Sequence, residues 1–273
     1  MSENPDQVTT GHALPPPPAI AAIYPDLAGK VAVVTGGSRG IGAATAAALA
    51  ANGVAVAVVG RDTEALAGVG GSIDHGGGRA MWVAADCTVA SEVDRMAATV
   101  TARFGPVDIV AAFAGGNGMP VPTEKESAEH WREILDDDLT SAFLTVRAFL
   151  PQMTERGRGA IITMSSSAAR QAAQSAAAYA AAKAGVIAFT RHLAGEFAGR
   201  GIRANCVAPS AIENERMRTW MTDEQLGNLG SSFPLGRIGQ PADVAAATLF
   251  LASEASAWIT GTTLDIAGGR IML

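Results

Sequence analysis

Tyr179 and Lys183 stand four residues apart in the alanine-rich run Tyr179-Ala180-Ala181-Ala182-Lys183. On a helix that spacing puts both side chains on one face, one turn apart. An ammonium then lies beside a phenol, and its positive charge favours the phenolate. A free tyrosine has a pKa of about 10, so this help lets a phenol exchange protons near neutral pH. Upstream, the apolar run Ala160-Ile161-Ile162-Thr163-Met164 reads as a buried strand that delivers Ser166 to the same place. A tyrosine on an ordinary surface helix gives the same five-residue pattern. The rest of the chain has to decide.

The elements that would position these residues alternate along the chain. Short apolar runs at 31–34, 54–59, 81–85, 107–113, 160–165, 203–208 and 262–266 read as strands. Helical stretches lie between them: an alanine-rich one to residue 51, a weak one at 63–72, and one at 91–104 capped by Ser91. Further helices are expected at 131–156, 179–200 and 242–253, with Asn52-Gly53 ending the first and Pro209 stopping the sixth strand. Strands that are apolar throughout suit a parallel sheet covered on both faces. The pattern predicts an α/β fold, a single doubly wound (Rossmann) domain over 25–273 with a seven-stranded parallel sheet. Residues 1–24, with the polyproline run Pro15-Pro16-Pro17-Pro18, read as a flexible N-terminal tail.

The first strand runs into Thr35-Gly36-Gly37-Ser38-Arg39-Gly40-Ile41-Gly42. Glycines at this point let the backbone turn sharply and approach a pyrophosphate, which the free N–H groups of the next helix receive. The spacing is G-x-x-x-G-x-G rather than G-x-G-x-x-G. Tight turns use glycines too, but three of them between an apolar strand and a helix point to a dinucleotide. The second strand ends at Gly60-Arg61. An acid there would bind ribose hydroxyls, whereas arginine accommodates a 2′-phosphate. Arg61 and Arg39 together suit a phosphate, so the expected cofactor is NADP(H).

Composition bounds the partners. The 273 residues are 48% hydrophobic and 17% charged, enough apolar material for a large buried sheet, and carry a net charge of −6. Without a basic stripe, nucleic acid is not an expected partner. Cys87 and Cys206, the two cysteines, have no metal-ligand spacing. They read as reduced thiols of a cytoplasmic protein, with no metal. No apolar run is long enough to span a bilayer and the N-terminus lacks a signal-peptide pattern, so no membrane partner is expected.

The ordered set of motifs resembles the short-chain dehydrogenase/reductase family over about 27–270. The carriers are the 35–42 glycine loop, Asp86, Ser166, Tyr179-x-x-x-Lys183 and Asn205-Cys206-Val207-Ala208-Pro209. Pro234-Leu235-Gly236-Arg237-Ile238-Gly239-Gln240-Pro241, Ile259-Thr260-Gly261 and Gly268-Gly269 look like the C-terminal signature of the 3-oxoacyl-[acyl-carrier-protein] reductase-like members. The resemblance implies Tyr179 as general acid in carbonyl reduction, or base in the oxidative direction. It implies Lys183 on the nicotinamide ribose and Ser166 on the substrate oxygen. Cofactor contacts would come from Gly36, Ser38, Arg39, Gly40, Ile41, Gly42, Arg61, Asp86, Cys87, Ala114, Gly115, Tyr179, Lys183, Pro209, Ser210 and Ile212.

Four departures from the family pattern cluster at this site. Ala112-Phe113 stands where the family has two asparagines, and Asp138 where an asparagine holds a proton-relaying water. Ser210 replaces a glycine, and Asn214 a threonine. Asp138 matters most: a carboxylate beside Lys183 stabilises the ammonium but offsets its help to the phenol. The expectation is an active enzyme whose working range is shifted to higher pH. Asp136 and Asp137 read as acids favourable to a helix dipole.

The segment 210–235 lies where the family covers its substrate, with Met217, Trp220, Met221, Leu226 and Phe233 as apolar inventory and Arg216 and Arg218 as cations. A 3-oxoacyl thioester or another hydrophobic ketone fits that inventory. Reduction of a conjugated C=C, or a cofactor-binding sensor or scaffold without turnover, stands as the alternative. Alanine-rich helix faces and the apolar end Ile271-Met272-Leu273 suit subunit packing. By resemblance the assembly is a homotetramer, with a dimer as fallback.

Overall fold

The computed structural model describes residues 22–116, 120–171 and 175–272. Residues 1–21 of the expected tail, Leu273 and the Arg216 side chain lie outside what is described. The strands are β1 (Val31–Thr35), β2 (Ala55–Gly60), β3 (Arg79–Ala84), β4 (Ile109–Ala112), β5 (Gly159–Met164), β6 (Ile202–Pro209) and β7 (Thr263–Ile266). All pair in parallel, in the order β3-β2-β1-β4-β5-β6-β7. The order reverses between β1 and β4, which opens a crevice at the carboxyl ends of those strands.

The helices are α1 (Gly40–Ala51), α2 (Thr63–His75), α3 (Ala90–Phe104), α4 (Ala128–Leu135), α5 (Ser141–Arg156), α6 (Ala177–Phe197), α7 (Glu215–Trp220), α8 (Asp223–Ser231) and α9 (Pro241–Ala252). Strand residues alternate between two apolar layers, as a sheet covered on both faces requires. Ala32, Val34, Val56, Val58, Ile109 and Ile162 pack under Leu49 of α1, Leu66 of α2 and Leu249 of α9. Val33, Val59, Val110, Ile161 and Ala204 face Met96 of α3, Phe149 of α5 and Leu193 of α6.

The observed elements differ from the expected ones at several points. The helix at 91–104 begins at Ala90, with Val89 at its N-cap and no side-chain cap, so Ser91 does not cap it. The helix expected at 131–156 is two helices joined by a π turn, Asp136–Thr140. The segment 210–235, which has no strand pattern, contains α7 and α8, the second begun by a Thr222–Gln225 capping box. Pro209 does not stop β6 short; it is paired with Ile266 of β7.

The Ala112-Phe113 departure has a packing answer. Phe113 is buried in the layer under α1 and α9, where an aromatic ring removes more apolar surface from water than an amide would. The turn is braced instead by Thr35, whose Oγ1 accepts the Phe113 N–H at 3.0 Å and the Ala114 N–H at 3.1 Å. Thr35→Val keeps the volume and strands those donors. A loss of about 1–3 kcal/mol in denaturant unfolding is expected. A change below about 0.5 kcal/mol would show that the turn does not depend on the hydroxyl.

Candidate active site

α6 is built from small residues that favour helix and let the chain lie close to the sheet. Lys183 lies in its buried face, with a side chain 2% exposed, and Tyr179 one turn earlier is half-buried. The Lys183 Nζ sits 5.6 Å from the centre of the Tyr179 ring, so the expected phenol–ammonium juxtaposition is present. β5 docks on the same turn. Lys183 Nζ donates to the Met164 carbonyl at 3.0 Å, and Ser165 Oγ donates to the Lys183 carbonyl at 2.7 Å. The next residue, Ser166, accepts the Ala168 N–H on its hydroxyl oxygen at 3.2 Å and keeps its own proton to donate.

The π turn delivers the fourth member. A wider turn at Asp136–Thr140 lets Asp138 project inward, and its carboxylate is fully buried. Asp138 Oδ1 lies 2.8 Å from Lys183 Nζ and also accepts the Gly116 N–H at 2.7 Å. Gly115 (φ 112°) and Gly116 (φ 106°) carry the β4 turn past the carboxylate. A Cβ on Gly115 would overlap Asp138 Oδ1, so this close approach requires glycine. Asp138 Oδ2 is buried and has no hydrogen-bond partner among the described residues. Burial works against the Lys183 charge, but contact with the Asp138 carboxylate outweighs it, with Tyr179 contributing in the same direction. The ammonium is held above the ordinary lysine range.

Beside this cluster a cleft of about 460 Å³ opens at the crevice between β1 and β4. Of the expected cofactor contacts, Gly36, Ser38, Arg39, Arg61, Asp86, Cys87, Ala114 and Gly115 line it. Gly60, Asp62, Thr88, Gly116, Asp137 and Ser141 complete the wall. The glycine loop fits a dinucleotide. Gly36 and Gly40 have positive φ, a Cβ on Gly42 would overlap the Gly36 carbonyl, and Gly40 faces open space. α1 begins here with no side-chain cap at Arg39, leaving first-turn N–H groups for an anion. Asp86 is held below the usual carboxylate range by the Thr88 hydroxyl and amide, which makes it an anionic acceptor on the wall. Burial pushes the Cys87 thiol up to about 11, so it is a wall and not a nucleophile.

Other expected residues sit apart from this cleft. Gly40, Ile41, Gly42, Tyr179, Lys183, Pro209, Ser210 and Ile212 do not line it; Ser210 N–H bonds the Ile266 carbonyl at 3.1 Å, and Ile212 bridges to Gly239. Asn214 caps α7 by accepting the Met217 N–H at 3.0 Å. Arg218 is ion-paired with Glu213.

Two groups were missed from sequence. Asp137 is no mere dipole partner: it lines the cleft 4.0 Å from Arg61. Glu126, with a side chain 3% exposed, accepts the Ala178 N–H at 3.3 Å and faces His130 Nδ1 at 3.2 Å. It supplies the N-terminal acceptor that Ala176 cannot, directly before Tyr179. The bare alanines ahead of Tyr179 were the signal that α6 needed a cap from elsewhere.

A family model described as enoyl-(acyl carrier protein) reductase matches residues 36–270. The chain is similar to the 3-oxoacyl-[acyl-carrier-protein] reductase FabG of Vibrio cholerae. The two are 38% identical over 248 residues, covering 91% of this chain and 100% of that protein. It is also similar to a 2-dehydro-3-deoxy-L-rhamnonate dehydrogenase (NAD(+)) of a Sphingomonas, 35% identical over 89% of this chain and 96% of that one. Among solved structures, an NADPH-bound short chain oxidoreductase from Pseudomonas aeruginosa PAO1, described as containing an atypical catalytic center, superposes with a TM-score of 0.85. It is 35% identical and covers 89% of this chain and 97% of its own.

The buried pair makes a stability statement. Asp138→Ala leaves a buried ammonium without its carboxylate and is expected to lose about 3–5 kcal/mol. Asp138→Asn keeps an acceptor for Gly116 and should lose clearly less. Because the folded-state pKa of Lys183 is raised, its contribution is full below the unfolded lysine value of about 10.4 and is lost only as pH rises through the higher folded value. Urea unfolding at pH 7 and 9 should therefore give the same Asp138→Ala deficit. A deficit already fading at pH 9 would mean the pair is not what holds the site.

Proposed function

This chain belongs to the short-chain dehydrogenase/reductase family, and on that premise we propose that it is an NADPH-dependent reductase of a hydrophobic ketone or 3-oxoacyl thioester. The observation that carries the reading is the joint placement of Tyr179 and Lys183 on one face of α6, with the end of β5 and Ser166 docked against it. When bound, the nicotinamide supplies the hydride that reaches the carbonyl carbon. Tyr179 delivers the proton to the carbonyl oxygen, and the Ser166 hydroxyl donates a hydrogen bond to that oxygen and orients it. Lys183 would hold the ribose hydroxyls and favour the charged phenol. Asp138 Oδ2, buried and free to accept, is suited to a water that returns a proton toward Lys183. Oxidation of the alcohol runs through the same groups in reverse.

The cofactor reading rests on Arg39 and Arg61 in the cleft wall and on the missing acid at Gly60. Asp86 would accept the adenine amine, and the backbone of the 36–42 loop would receive the pyrophosphate. α7 and α8 would cover the substrate. A cytoplasmic homotetramer, with a dimer as fallback, belongs to the same reading. The edge-to-face Phe143–Phe189 pair on α5 and α6 leaves Phe143 45% exposed, an apolar spot for a second copy. Among the described residues no helix is long and apolar enough to cross a membrane.

One observation favours a second reading. Lys183 is held by Asp138 and by the Met164 carbonyl, so its charge is already engaged. A cofactor-binding sensor without turnover would tolerate that arrangement.

A panel of ketones, 3-oxoacyl thioesters and conjugated enoyl thioesters with NADPH separates the readings. Tyr179→Phe is expected to lower kcat at least a hundredfold on the carbonyl substrates with NADPH affinity kept. Binding without turnover in the unaltered protein would support the sensor, and turnover confined to the enoyl arm would move the reaction to C=C reduction. Arg61→Glu is expected to reverse the NADPH/NADH ratio of kcat/KM. An unmoved ratio would remove the case for NADP(H).

A further inference from the structure

Each of the two arginines at the cofactor cleft has a carboxylate of the same cleft beside it, hydrogen-bonded to Arg39 and more distant from Arg61. Arg39 Nη2 lies 2.6 Å from Asp62 Oδ2, and Arg61 Nη1 lies 4.0 Å from Asp137 Oδ1. The acids come from different elements. Asp62 follows β2 and caps α2, accepting the Ala65 N–H on Oδ1 at 3.1 Å, which turns Oδ2 toward Arg39. Asp137 comes from the π turn, next to Asp138. Its neighbour Arg61 directly follows β2. Asp86 adds a third carboxylate to the wall, so the two cations face three acids.

A 2′-phosphate seated on Arg39 and Arg61 must draw Arg39 from Asp62 and then sit near both carboxylates. Like charges within a few ångströms oppose each other, and a phosphate monoester carries close to two of them. A ribose with a free 2′-hydroxyl meets no such penalty. We infer that Asp62 and Asp137 are cofactor-specificity residues. Asp62 engages Arg39, Asp137 lies beside Arg61, and both repel the 2′-phosphate, lowering a preference for NADP(H) that Arg39 and Arg61 would otherwise make much steeper. The inference rests on the NADP(H) reading above. It also gives the opposite sign to the alternative in which these acids accept ribose hydroxyls and serve NAD(H).

Both acids can be neutralised with little change of shape. Asn is as good a helix cap as Asp, so Asp62→Asn keeps the α2 cap, and Asp137 makes no capping bond that would be lost. The test is the equilibrium Kd of NADPH and of NADH, read from nicotinamide fluorescence with the full-length protein. The variants are Asp62→Asn, Asp137→Asn, their combination, and Arg61→Ala. Each Asn variant is expected to tighten NADPH about threefold to tenfold and to leave NADH within about twofold. The double variant should tighten NADPH further, and the gain should shrink in high salt. An unchanged or weaker NADPH affinity in both Asn variants, or a selective loss of NADH affinity, overturns the inference. Arg61→Ala separates the two levels. If it collapses the NADPH/NADH ratio while the Asn variants do nothing, the inference alone fails. If it leaves the ratio unmoved, the NADP(H) reading fails and takes the inference with it.

Discussion

The contact between the Lys183 ammonium and the Asp138 carboxylate is the interaction on which the site depends. Both groups are out of water, and a charge in that position persists only when it is paired. The pair also joins four segments. Lys183 holds the end of β5 through the Met164 carbonyl, Asp138 holds the β4 turn through Gly116, and the two meet where the π turn faces α6. Ser166, Tyr179 and the wall of the cofactor cleft take their positions from these segments.

The same contact alters the chemistry. A lysine charged and held by a neutral amide would act on the phenol with its full field, whereas one paired at 2.8 Å acts with less. The acid therefore secures the ammonium and weakens its effect together. A parallel compromise exists at the other end of the cleft, where Arg39 and Arg61 are also met by carboxylates. Arg39 and Arg61 are exposed and screened by solvent, whereas the Lys183 pair is buried, so the two compromises differ in size.

Much of this was legible in the sequence because it is local. The strand pattern, the glycine loop and the four-residue Tyr179–Lys183 spacing each depend on neighbours in the chain, and the structure has the seven parallel strands these imply. Other features depend on distant partners. The π turn leaves helical hydrophobic spacing almost unchanged on either side, so 131–156 read as one helix. The cap of α6 comes from Glu126, 52 residues before Ala178. α7 and α8 are only six and nine residues long, too short for their spacing to mark them in the sequence. Asp137 and Asp138 are adjacent acids that the π turn sends to different tasks, one into the cleft wall and one onto Lys183. Nothing in three consecutive aspartates distinguishes them.

The central claim is that Asp138 shares the Lys183 charge and thereby sets the pH range of hydride transfer. The most direct measurement is the single-turnover rate of NADPH oxidation by a carbonyl substrate across pH 5 to 10, for the unaltered protein and Asp138→Asn. With the carboxylate neutralised, the profile is expected to move to lower pH by about one unit. Superimposable profiles would contradict the coupling, however firmly the pair holds the fold.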